Sequence, residues 1–492
     1  MKLYYNATLF DGVNIKENYS VAISNGIIIQ VAPSEEIDFY NYSDIFDCES
    51  KLLCPAFIDS HMHLRAYSNS LTSNKIKVES WHKKIDLISQ IEKIIANEPD
   101  YWIIINGIPY FTNKDFNLDR YDIDNLSPDR PVKIQFASMH GSLLNSKAME
   151  LLNISELTME PTGTTFDRNL KSGNLSGIIL EGENFINKLI PISLKNNYDD
   201  SIKLSSIELE KMGVKTICDA SFNNDIEKYE SFSRYAEKGI LRQRVVFMPG
   251  FDFIHEFHEN GMIYGQIENN IIISNVKIMT SLSSGMLQPS TFDLAQMVNY
   301  CHSIGYPVAI HAVELECIKL AIRILQKDFL LGDRIEHASE LDESSIIDIA
   351  NSGINISTHP TFIYEKGDVY SRNIQKDNDS INQLYKIGSL IDKKIKVGIS
   401  SDAPVSNPNP YIALYALQSR KTLSGEIINK SESVDLLQSL QMITSINAEI
   451  CGQNNIGYIR KGYKAELILI NTNLTDTTSE DWLNMPLPIN IG

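Results

Sequence analysis

Two histidines one residue apart, His61 and His63, close the run Pro55-Ala56-Phe57-Ile58-Asp59-Ser60. Residues two apart on an extended strand point to the same side, so both imidazoles can meet one metal ion. The pair alone is a weak signal, because two of the ten histidines can fall at this spacing by chance and serve only in a core or on a surface. Three later segments supply partners. Val308-Ala309-Ile310-His311 and Arg334-Ile335-Glu336-His337 each end a strand-like stretch in histidine, and Lys396-Val397-Gly398-Ile399-Ser400-Ser401-Asp402 ends one in aspartate. In a (β/α)₈ barrel the carboxyl ends of the strands form one rim, where side chains from separate strands converge. Four such strand ends, in this order, are far more specific than any one of them.

Four imidazoles and a carboxylate suit zinc or another divalent first-row ion, whereas calcium prefers more oxygen ligands. Iron, manganese and nickel stay open beside zinc, as does the choice between one ion and two. An ion with an open position lowers the pKa of its bound water to about 7, so metal-bound hydroxide is the expected nucleophile. Asp402 is suited to take the proton of that water and return it to a leaving nitrogen. Its plainer role is a turn residue before Ala403-Pro404. His337 or His140 is a candidate to polarise a substrate carbonyl, although His140 serves equally as a structural histidine. Glu181, His359 and Tyr364 are weaker substrate-binding candidates. Glu181 could instead be a solvated turn carboxylate and His359, before Pro360, a structural residue; Tyr364, Asp368 and Tyr370 read as a loop. Glu314 suits the acidic first turn of a helix running through Ile318 and Ala321. His255 and His258 read as an ordinary helix or loop face.

The elements that must position these residues are legible from composition and pattern. At 492 residues, 43% hydrophobic and 22% charged, the chain is long enough for a barrel with an appended module and a sizeable core. A net charge of −18 argues against nucleic acid or an anionic membrane as partner and leaves a small-molecule substrate. No secretory signal opens the chain, no apolar run approaches the roughly 20 residues that span a bilayer, and the six scattered cysteines read as reduced thiols. A cytoplasmic location is the expectation. Residues 1–53 show hairpin grammar, with turns at Asp11-Gly12 and Asn25-Gly26, and a turn followed by an apolar strand returns near residues 456–470. Beyond His63 the barrel pattern is interrupted over about residues 66–174, a stretch too long for a simple loop and read as an insertion at the catalytic rim. Strand and helix signals alternate again from Gly213, through Gln243-Arg244-Val245-Val246-Phe247 and Asn275-Val276-Lys277-Ile278-Met279, which implies an α/β chain with a parallel sheet.

These motifs resemble those of the amidohydrolase superfamily of metal-dependent hydrolases. Pro55-Ala56-Phe57-Ile58-Asp59-Ser60-His61-Met62-His63 is similar to its first-strand motif, Ala309-Ile310-His311-Ala312 to its fifth, Ile335-Glu336-His337 to its sixth and Ser400-Ser401-Asp402-Ala403-Pro404-Val405 to its eighth. The branch containing N-substituted formamide deformylase also has segments similar to residues 127–149, 276–279 and 384–392. The resemblance implies a TIM barrel over residues 54–450, a small β-sandwich from residues 1–53 and 451–492, and hydrolysis of a non-peptide carbon–nitrogen bond. It implies metal ligation by His61, His63, His311, His337 and Asp402. Lys277 occupies the place where the family can present a carboxylated lysine bridging two ions; an ordinary lysine that anchors a neighbouring carboxylate is the alternative. The chain departs from the family at Ala56, at Glu466, and at Glu314, where His311-Ala312-Val313-Glu314 matches the His-x-x-Glu of the family's deaminases. A single-metal deaminase of a nitrogen heterocycle is therefore the rival activity, and a non-catalytic binding protein on the same scaffold the rival outside catalysis. A homodimer would be common for such a fold.

Overall fold

The computed structural model describes residues 1–72, 74–75, 84–98, 101–108, 118–136, 140–161, 163–189, 198–282, 286–374, 381–472, 474 and 477–491. The chain forms two compact units, one of Met1–Leu64 with Lys203–Gly492 and the other of Arg65–Ile202, which contains the interval expected as an insertion.

From Phe57 onward in the first unit, strand and helix alternate along the chain, and eight strands pair in parallel. The strands are β1 (Phe57–Met62), β2 (Val214–Asp219), β3 (Arg244–Phe247), β4 (Val276–Met279), β5 (Val308–Ala312), β6 (Arg334–His337), β7 (Asn355–Thr358) and β8 (Val397–Ile399). They are short, apolar and almost wholly buried, the pattern of strands covered on both faces. β1, β2 and β3 pair in that order, β3 continues onto Ile271–Ile273, and β4 to β8 pair in sequence. Backbone bonds also link these two sheets to each other: Lys277 N–H donates to Pro249 O at 2.8 Å on one side, and Asp402 N–H to His61 O and His63 N–H to Ala403 O, each at 2.9 Å, on the other. Asn447 adds a side-chain staple there, its Nδ2 donating to Ile58 O at 2.5 Å and Ile399 O at 2.7 Å.

The connecting helices start where short polar side chains can satisfy the first free N–H groups. Asp225, Ser290 and Asp342 cap the helices Ile226–Glu237, Thr291–Ser303 and Glu343–Ala350. The loop expected to carry Tyr364, Asp368 and Tyr370 is instead part of the helix Thr361–Ile374. Pro360 sits just before its first residue, a position where proline's fixed φ and missing N–H fit, and the segment ahead has no further proline to stop it. His255 and His258 lie on the short helix Ile254–Glu259, where His255 meets Glu259 at 3.2 Å.

Both chain ends enter one seven-stranded sheet. Lys2–Phe10 is its shared strand, pairing with Asp44–Asp47 along its first half and with Leu52–Pro55 along its second. Between the halves the register shifts, and Asn6 takes a left-handed φ of 55°. Hydrogen bonds thus run continuously through Lys2–Phe10. The carboxyl-terminal strands Leu467–Ile470 and Ile489–Ile491 complete the sheet beside Leu52–Pro55.

The second unit holds a six-stranded sheet. The helix Lys84–Asn97 buries Leu87, Ile91 and Ile95 in a core with Ile103, Ile105, Val132 and Ile134. Among the described residues no helix is long and apolar enough to cross a membrane. All six cysteines are buried and unbridged.

Candidate metal centre

The ends of β1, β6, β7 and β8 bring His61, His63, His337, His359 and Asp402 together. His61, His63 and Asp402 form one cluster and His61, His337 and His359 a second, each with ligand atoms within 4.8 Å of one another. His61 is common to both. Two of these residues depend on unusual backbone. On a plain strand Glu336 and His337 would point to opposite faces, but the chain leaves β6 with a φ of 70° at His337, and Asp402 likewise has a φ of 56°. Left-handed conformations at non-glycine residues cost energy and concentrate at functional sites.

The imidazoles are held through Nδ1. Glu336 Oε2 lies against His61 Nδ1, Ser221 Oγ is 3.1 Å from His63 Nδ1, and His359 Nε2 is 2.7 Å from His337 Nδ1. His359 is anchored in turn by Ser400 Oγ at 3.0 Å from its Nδ1. The Nε2 atoms of His61, His63 and His337 are left for the centre. Asp402 Oδ1 is 3.5 Å from His61 Nε2 and 3.0 Å from His63 Nε2. Since a carboxylate only accepts, His61 carries its proton on Nδ1 toward Glu336, and its Nε2 lone pair faces the Asp402 oxygen. Two acceptors turned on each other in a buried site call for a cation between them.

Burial sharpens this. His61 Nε2, His337 Nε2, Asp402 Oδ1 and Lys277 Nζ are all buried without a hydrogen-bond partner among the described residues. Orphaned polar atoms are costly, and four in one place need an explanation. The donor set of imidazole nitrogens and a carboxylate oxygen fits a divalent first-row ion. Burial, reinforced by the charge of Lys277 and the neighbouring histidines, pushes His61 well below the usual imidazole range. Burial does the same to His337 and takes His359 to about 4, so these rings are neutral, as ligands must be. Burial alone would raise the Asp402 carboxyl, but the contact with His63 and the nearby His359 and Lys277 hold it below its usual value. Burial lowers Lys277 to about 8 despite the opposing charges of Glu336 and Asp402.

The other sequence candidates fall in different places. His311 packs its ring 4.3 Å from that of His337 but belongs to neither ligand cluster. Glu314 occupies the N-cap position of the helix Leu315–Leu325 without a side-chain capping bond. Tyr364 stacks edge-on against Tyr415 at 5.3 Å. His140 and Glu181 pair with each other at 3.1 Å within the second unit, where Glu181 has a φ of 54°. Glu336, Arg334, Ser221 and Asp59 escaped the sequence reading. Asp59 accepts from His61 N at 3.2 Å, Ser401 N at 3.1 Å and Ser401 Oγ at 2.5 Å, tying the histidine strand to the aspartate strand. The one available signal was Arg334-Ile335-Glu336, a charged residue at alternate positions of a strand whose neighbours are apolar.

Parallel strands alternating with helices carry a histidine-rich cluster at their carboxyl ends that could hold a metal ion, the arrangement expected of a metal-dependent hydrolase. Residues 44–484 match the amidohydrolase family, and the chain belongs to it, a family of hydrolytic enzymes acting on carbon–nitrogen bonds. The N-substituted formamide deformylase of Arthrobacter pascens is 22% identical, over 93% of this chain and 90% of its own. The crystal structure of an uncharacterised metal-dependent hydrolase from Pyrococcus horikoshii OT3 superposes with a TM-score of 0.78 at 23% identity, covering 97% of this chain and 99% of that one. Atrazine chlorohydrolase TrzN from Arthrobacter aurescens TC1, solved with zinc, has a TM-score of 0.55 at 12% identity and covers 99% and 92%.

Proposed function

We propose that the eight parallel strands form a (β/α)₈ barrel whose carboxyl-terminal rim hydrolyses an amide-type, non-peptide carbon–nitrogen bond of a small molecule. His61, His63, His337 and Asp402 would hold the ion, zinc being the one this donor set suits, with His311 and Lys277 beside them. When bound, the ion supplies an acidified water and a Lewis acid for the carbonyl. The chain's own residues do the rest. Asp402, kept ionised, accepts a proton at Oδ1 during attack and delivers it to the departing nitrogen. His337, neutral and fixed through His359, presents an Nε2 lone pair to the ion or, in the other tautomer, an Nε2–H to the carbonyl oxygen. Ion number would turn on Lys277: carboxylated on Nζ it would supply an anionic ligand for a second ion, and as a bare amine it would supply none.

The observation that carries this reading is the set of buried, unpartnered atoms at His61 Nε2, His337 Nε2 and Asp402 Oδ1. The likeness to a formamide deformylase over most of both chains supports an N-substituted formamide as the first substrate to try. The test is metal content per chain, with assays of formate and amine release from N-substituted formamides and of ammonia release from aminated heterocycles. Formate and amine in equal amounts from a metal-loaded enzyme is the expected result. Ammonia from the heterocycles alone would replace amide hydrolysis with deamination, and a chain without bound metal would end both.

A further inference from the structure

Three of the histidines held at Nδ1, His61, His63 and His337, differ in what holds them. His63 has a neutral hydroxyl and His337 a neutral imidazole, whereas His61 has the carboxylate of Glu336. Glu336 is wholly buried, and its position is over-determined by an equally buried guanidinium. Arg334 Nε donates to Glu336 Oε1 at 2.5 Å, and Nη2 is 3.3 Å from Oε2. The Arg334 guanidinium is also tied to two strands and a helix end: Nη2 reaches Ser60 O at 2.8 Å on β1 and Cys218 Sγ at 3.6 Å on β2, and Nη1 reaches Ile450 O at 3.5 Å and Cys451 Sγ at 3.8 Å at the end of the helix Ser445–Ile450.

A buried ion pair of this kind gains little stability over an apolar pair of the same volume, so its presence beside a ligand histidine needs another reason. A carboxylate on the far nitrogen of a ligand histidine fixes the tautomer and raises the basicity of the nitrogen that faces the ion. Ser60 is the residue before His61, so Arg334 holds the backbone of the ligand strand with one hand and the orienting carboxylate with the other. His61 is also the member shared by both ligand clusters.

We infer that Glu336, clamped by Arg334, is the positioning residue that presents His61 Nε2 to the ion and sets the metal affinity of the site. This rests on the metal-dependent reading proposed above. Arg334 keeps the carboxylate in register, and neither residue touches substrate.

The test is the affinity of the metal-stripped protein for zinc, measured by competition with a chromophoric chelator, with the absorption spectrum of the cobalt-loaded protein as a second readout. Glu336→Gln keeps the shape and removes the charge; it is expected to weaken zinc binding about 10- to 100-fold and to alter the cobalt spectrum. Because the single variant strands a buried guanidinium, the double variant Arg334→Met/Glu336→Gln is measured beside it, with circular dichroism to show that it is folded. It is expected to bind zinc as weakly as the single variant. Wild-type zinc affinity and an unchanged cobalt spectrum in either folded variant would overturn the inference and leave the hydrolase reading standing. A wild-type chain that takes up no divalent ion would sink both.

Discussion

At the scale of single residues, the centre is built from atoms that oppose each other until a cation joins them. The lone pair of His61 Nε2 and the oxygen of Asp402 sit 3.5 Å apart with no hydrogen between them. The same carboxylate is the group best placed to move a proton, because its surroundings keep it ionised in spite of burial. Asp402→Asn is therefore expected to lower kcat by about a hundredfold or more in steady-state assays of the variant reloaded to wild-type metal content, with an unchanged circular dichroism spectrum. A variant that retains full turnover would remove Asp402 from proton transfer. The motif containing Asp402 was legible because polar residues ending an apolar strand stand out locally. The partner of His61 was not, since Glu336 lies 275 positions away and reads as an ordinary strand-edge charge.

At the scale of elements, two junctions carry consequences that can be measured. β8 passes under the helix Ser445–Ile450 so closely that a Cβ on Gly398 would lie 2.1 Å from Asn447 Oδ1 and 2.2 Å from Ile450 Cδ1. Asn447 is the residue that staples β1 to β8, so Gly398→Ala must displace it. Overpacking of this sort is expected to cost about 2 kcal/mol, seen as a lowered denaturation midpoint, and a wild-type midpoint would show that the helix can yield freely. The second junction joins the helix Thr291–Ser303 to the segment before β6, where His302 lies 3.1 Å from both Asp333 and Asp328. Burial pushes His302 down, but the hydrogen bonds and charges of the two aspartates outweigh it and raise its pKa above the unfolded value. The stability it contributes is then fully present below the unfolded pKa of about 6.5 and is lost as pH rises through the higher folded value. His302→Gln should lower the melting temperature more at about pH 5.5 than at about pH 8.5. An equal loss at both would refute the charged pair.

At the scale of the whole molecule, ligand atoms from β1 and β8 at the two ends of the strand order share one centre with atoms from β6 and the end of β7. An ion bound there ties together segments separated by more than three hundred residues and adds stability by mass action. At a free concentration 100 times its Kd the ion contributes about 2.7 kcal/mol. Stripping with a chelator is therefore expected to lower the melting temperature, and zinc to restore it in proportion to the logarithm of its concentration. A melting temperature indifferent to both would argue that the cluster binds nothing. The order of strands and helices in this unit was readable along the chain, because buried parallel strands are continuous apolar runs and capped helices begin at polar residues. The change of partner along Lys2–Phe10 was not readable, because it falls at Asn6 with no local sign beyond one asparagine.

The sequence by itself determined which elements form and where each delivers a polar side chain, since strand periodicity, apolar runs and caps are properties of neighbouring residues. That held for His61 on β1 and His63 just after it, for His337 at the end of β6 and for Asp402 after β8. It also held for the family, whose motifs are short and continuous. Only the tertiary structure decided how those side chains are oriented: Glu336 on His61, Ser221 on His63, His359 on His337, and Tyr364 on a helix where a loop was expected. Orientation depends on atoms brought within about 3 Å by folding, and chain separation carries no record of such distances.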